Sequence, residues 1–104
     1  MNILLIIDPQ NDFITGSLAV PGAVGAMDYL TAYLQEHYAE YDAIVVTMDQ
    51  HPADHCSFKE NGGIWPIHCI RFTVGAAIYP PLADVIMERK RRGQNVLFIP
   101  KAMT

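Results

Sequence analysis

Three apolar runs, each closed by a charged side chain, constrain this chain more than any other feature. They are "NILLII", closed by Asp8; "AIVVTM", closed by Asp49; and "NVLFIP", closed by Lys101. Each is nearly continuous in aliphatic and β-branched residues rather than alternating apolar with polar. Strands covered on both faces read that way, and such strands are usually parallel. Segments 2–7, 43–48 and 95–100 are therefore expected strands.

Between the first two lies a helical pattern over 23–40, with Met27, Leu30, Leu34 and Tyr38 at spacings of three and four. That spacing makes an apolar stripe. A second helix is expected over 80–92. Pro80 and Pro81 suit its first turn, Leu82, Val85 and Ile86 its inner face, and Gly93 the position just past its end. Strand, helix, strand, loop, helix, strand is an α/β pattern with right-handed crossovers. The expected fold class is a Rossmann-like parallel sheet with helices on both faces. The stretch 50–79 lacks periodicity and holds Gly62-Gly63, two prolines and most of the histidines. A loop that long in a compact domain is usually functional.

In open parallel sheets, ligands bind beyond the carboxyl ends of the strands. Asp8, Asp49 and Lys101 are each delivered to that edge. Asp49 and His51, two apart, would point to one side of an extended stretch. With His68 they form a good ligand set for zinc or another borderline divalent metal. Three solvated loop side chains are the competing reading. His55 is a second-tier candidate, placed outside the ligand set. Asp8 with Lys101 could be a general base beside a cation that stabilises an anionic nucleophile, or a structural ion pair. Phe13 and Trp65 could line a pocket for a flat ring, or pack beneath the loop.

Composition narrows the partners. The 104 residues supply one small domain, 51% hydrophobic and 17% charged, which is the balance of a globular chain. A net charge of −4 gives no electrostatic case for nucleic acid. The one basic run, Arg89 to Arg92, reads as a solvated helix end. No apolar run approaches membrane-spanning length, and the N-terminal one has no basic leader. Cys56 and Cys69 lack CxxC spacing, so a cytoplasmic protein with reduced thiols is the default. A homo-oligomer is left open.

The stretches "LLIIDPQNDFITGSLAVPGA", "VTMDQHPADHCSF", "WPIHC" and "LFIPK" together resemble the nicotinamidase branch of the isochorismatase-like cysteine hydrolases. The resemblance runs the whole chain, in order and spacing, and covers the N-terminal part of such a domain. D-x-H followed by W-P-x-H-C is the signature that separates metal-containing nicotinamidases from their non-metal relatives. The resemblance implies that Asp8 is the general base and Lys101 its lysine. It implies that Asp49, His51 and His68 hold a metal, Zn2+ or another such as Mn2+ or Fe2+, with His55 beside it. Phe13 and Trp65 would flank the substrate ring.

The implied reaction is hydrolysis of nicotinamide to nicotinate and ammonia through a cysteine thioester, a step of NAD salvage. The family's nucleophile lies well downstream of its lysine, so neither Cys56 nor Cys69 matches it. A chain of these residues alone is expected to be inactive. Two rivals stand beside this reading: a hydrolase in which metal-bound water attacks another small amide, and a metal-binding chain without catalysis. "FITGSL" is one residue shorter than the family's usual version. Arg71 and Phe72 replace its common glutamine and glycine near the pocket mouth.

Overall fold

A computed structural model describes residues 1–104. Strand β1 (Ile3–Ile7) is followed by a one-turn helix α1 (Asn11–Ile14) and the long helix α2 (Ala23–His37), which tightens into a 3-10 turn at Tyr38–Glu40. Then come β2 (Ala43–Asp49), an irregular stretch, helix α3 (Pro80–Arg91) and β3 (Asn95–Lys101). The strands and both long helices fall where apolar continuity and helical spacing place them. The short α1 has no period to read. No helix is long and apolar enough to cross a membrane.

The sheet is parallel, in the order β1-β2-β3. Register pairs Ile7 with Thr47, and Asp49 with Lys101. Both crossovers advance in the same direction across the sheet, so a right-handed path puts α2 and α3 on the same face. Their stripes meet the sheet in one core of Ile6, Leu34, Ile44, Val46, Leu82, Val85, Ile86 and Val96. Met27, Leu30 and Tyr38 pack against its margin. Leu82 is fully buried there, and its truncation to alanine would cost about 2–5 kcal/mol.

The other face carries no helix among these residues. In-register Leu5, Val45 and Leu97 share it, as do Ile7, Thr47 and Ile99. Ile3, Leu5, Ile7, Leu97 and Ile99 on this face are 41–65% exposed.

The end of α3 shows why the basic run sits where it does. Gly93 adopts φ +93 just past the helix. Its N–H donates to Lys90 O and that of Gln94 to Arg89 O, which closes the last turn. Arg91 and Arg92 pair with Glu88, and Arg89 lies over the Tyr38 ring.

Candidate functional site

The strand ends bring the predicted charges together. Lys101 Nζ donates to Asp49 Oδ1 at 2.7 Å and to Asp8 Oδ2 at 3.0 Å. One ammonium thus joins the carboxylates that close β1 and β2. Burial alone would lower the Lys101 pKa, but the hydrogen bonds and charges of Asp49 and Asp8 outweigh it and the net shift is upward. Lys101 is held as a cation. Asp8 has φ +50, a rare conformation for a residue with a side chain. Its other oxygen, Oδ1, accepts from Thr47 Oγ1 at 2.8 Å.

Asp49, His51 and His68 converge, with ligand atoms all within 4.8 Å of one another. The chain arranges this through backbone pairing. His51 N–H donates to Cys69 O, and Arg71 N–H donates to His51 O, so the loop around His68 is laced onto the strand end. Asp49 Oδ2 lies 3.5 Å from His51 Nε2.

The imidazole tautomers bear on whether a metal fits. His51 Nδ1 lies 2.9 Å from Ala102 O, and His68 Nδ1 lies 2.8 Å from Pro66 O. A carbonyl only accepts, so each Nδ1 carries a proton and, in the neutral ring, each Nε2 presents a lone pair. Those two Nε2 atoms face each other at 3.2 Å. Lone pairs do not attract one another, and a cation between them resolves the contact. Two nitrogens on a tetrahedral zinc stand about 3.3 Å apart, given Zn–N bonds of about 2.0–2.1 Å. Donation of Nδ1–H to a carbonyl is also the usual way a metal-binding histidine is oriented. The His51 pKa is lowered, foremost by burial, which favours the neutral form a metal needs. The residues fit a divalent metal.

His55 is buried against His51, with ring centroids 4.0 Å apart. Its Nδ1 accepts from the Ser57 N–H at 3.2 Å. It is not among the three residues whose ligand atoms converge.

Phe13 and Trp65 line one open cavity of about 470 Å³, together with Asp49, His68, Val20 and Pro21. Phe13 also packs 5.5 Å from the His68 ring. Asp8 lines an adjoining hollow of about 290 Å³, which shares Phe13 and Val20. The two aromatics therefore stand at the mouth of the charged edge rather than beneath the loop. Phe72 is 95% exposed and does not line this cavity.

Neither cysteine is placed to attack. Cys69 is fully buried and its thiol is pushed up to about 12, by burial first and then by the charge of Asp12. Cys56 is exposed, and no sulfur of either residue hydrogen-bonds to Asp8 or Lys101.

Sequence reasoning missed four residues here. Thr47 braces Asp8. Asp12 accepts the Cys69 N–H at 2.8 Å, next to His68. A Cβ at Gly75 would collide with the Asp12 carboxylate, so glycine lets the chain close on it. Gln10 is fully buried and bonded to Asp49. For Gln10 and Asp12 the signal available was a run of polar residues shortly after the end of β1.

No protein-family model matches the chain. It is 32% identical to the nicotinamidase of Escherichia coli, over 90% of this chain and 52% of that protein. It is 29% identical to the nicotinamidase of Saccharomyces cerevisiae, over 86% of this chain and 53% of that protein. Among solved structures, the pyrazinamidase of Pyrococcus horikoshii in complex with zinc superimposes with TM-score 0.81 at 32% identity, covering 99% of this chain and 52% of that one. PnC1 from L. infantum in complex with nicotinate gives TM-score 0.79 at 30% identity, covering 100% of this chain and 48% of that one. Three parallel strands in an open sheet with crossover helices match the isochorismatase-like fold of such neighbours. Within it the chain is similar to the nicotinamidases, and it spans about half the length of the curated relatives it matches.

Proposed function

We propose that these residues form the base, lysine and metal portion of a nicotinamidase-type amidase. It hydrolyses nicotinamide to nicotinate and ammonia, and so serves NAD salvage. The observation that carries this is the Lys101 bridge, which ties the Asp8 carboxylate to Asp49 of the metal set at one sheet edge. The similarity to nicotinamidases supports the substrate class.

In this reading the ring of the amide enters between Phe13 and Trp65. Asp49, His51 and His68 hold zinc, or Mn2+ or Fe2+. When bound, the metal supplies a Lewis-acid anchor for the pyridine nitrogen. Asp8 takes the proton from a cysteine thiol supplied from outside these 104 residues, since Cys69 is buried and protonated and Cys56 stands apart. Lys101 favours the resulting anion. The thiolate attacks the amide carbon, Asp8 passes its proton to the departing nitrogen, and ammonia leaves a thioester. Water then cleaves the thioester to release nicotinate and regenerate the thiol. The compartment is the cytoplasm, where both thiols stay reduced.

The test is ammonia release from nicotinamide by the full-length protein, with and without iodoacetamide. Turnover abolished by the alkylating agent is expected. Turnover insensitive to it overturns the cysteine route in favour of a metal-bound water nucleophile.

A further inference from the structure

Gln10 is fully buried at the foot of α1, one residue beyond Pro9. A buried amide must spend its donors and acceptor on partners. Its Nε2 donates to Asp49 O at 2.7 Å and to Ala76 O at 2.8 Å, and its Oε1 accepts from the Asp49 N–H at 2.8 Å. A single side chain therefore satisfies both main-chain groups of Asp49 on one side.

The topology explains why a side chain is needed there. The β1–β2 ladder ends at the pair Ile7 and Thr47, and β1 turns away at Asp8 with φ +50. Strand β2 continues to Asp49, whose pair on the other side is Lys101. On the β1 side Asp49 would be left without a ladder partner. The amide of Gln10 has the donor and acceptor of a peptide unit, and it takes the place of the missing strand residue. Its second N–H reaches the Ala76 carbonyl and anchors the irregular stretch to the same point.

We propose that Gln10 is a positioning residue for the metal site. By fixing the main chain of Asp49 on the side where no strand does, it holds the Asp49 carboxylate toward His51 Nε2, 3.5 Å away. The inference rests on the metal reading of Asp49, His51 and His68. Gln10 touches no ligand atom, so its effect passes through the main chain it fixes, that of Asp49 and of the irregular stretch at Ala76.

The test is cobalt(II) binding by the full-length protein, followed by visible absorption during titration. Gln10→Met keeps side-chain length and apolar packing but cannot bond to Asp49. It is expected to weaken cobalt binding about 10- to 100-fold, the usual range for groups that orient a metal ligand, and to change the absorption spectrum. Leu82→Ala, in the core on the helix-covered face, is expected to lose stability while keeping wild-type affinity and spectrum. If Gln10→Met binds cobalt as wild type does, or if Leu82→Ala weakens binding equally, the inference is overturned. A wild-type protein that binds no cobalt overturns the metal reading itself and the inference with it.

Should Gln10→Met fail to fold, side-chain amide exchange in the wild type decides. Gln10 Nε2 protons exchanging as slowly as the Val46 backbone amide support the clamp. Exchange as fast as that of Gln35 removes it.

Discussion

Lys101 and Asp49 are register partners at the end of β2 and β3, and the lysine ammonium donates to the Asp49 carboxylate at 2.7 Å. The same ammonium reaches Asp8, so one cation pairs with the carboxylates that close β1 and β2. Lys101→Met should separate turnover from metal binding. Turnover of nicotinamide is expected to fall by at least about 10²-fold, the scale of losing one charge-stabilising donor. Metal content should stay at the wild-type level, because a like charge beside the ion has been removed. Elemental analysis of the variant showing lost metal would mean that Lys101 is needed to hold Asp49.

His51 and His68 face each other through Nε2 at 3.2 Å. The purified full-length protein is expected to carry about one divalent ion per chain, since the three groups suit a single tetrahedral site. The double variant His51→Ala, His68→Ala should release it. Full retention of metal after dialysis would sink the ligand assignment.

Cys56 is exposed and Cys69 buried. Iodoacetamide at pH 8 should label Cys56 and leave Cys69 unmodified in the folded protein, because the thiolate is the reactive form and Cys69 is held protonated up to about 12. Cys56→Ser should turn over at close to the wild-type rate. Peptide mass spectrometry showing Cys69 labelled without unfolding would contradict its placement.

The Tyr33 and Tyr41 hydroxyls share a hydrogen bond on the far side of the molecule. That bond first, and burial second, push the Tyr33 pKa up to about 12. The folded chain therefore keeps a proton that the unfolded chain releases near pH 10. Stability from this pair is complete below about pH 10 and is lost as pH rises toward 12. Tyr33→Phe should remove the late-ionising phenol from the absorbance titration at alkaline pH and flatten the stability loss in that window. An unchanged late phase would assign it elsewhere.

Ile3, Leu5, Ile7, Leu97 and Ile99 present an uncovered apolar face beside the free edge of β1. Faces and edges of this kind invite association. A polypeptide of these 104 residues alone should elute from a sizing column above monomer mass. Leu5→Asp with Leu97→Lys should shift it toward the monomer, and a wild-type monomer would show that the face is tolerated in water.

The sequence by itself determined the three strands, both long helices and the edge to which Asp8, Asp49 and Lys101 are delivered. Those features rest on local patterns: apolar continuity, helical spacing and the residue that ends each run. Only the tertiary structure decided that Lys101 bridges both aspartates, that the Nε2 lone pairs of His51 and His68 oppose one another, and that both crossover helices share one face. It alone made Gln10 part of the site. The reason is that a glutamine's partners are set by where neighbouring strands stop. The ladder of β1 ends two residues before that of β2, and no period or spacing within either strand records the difference.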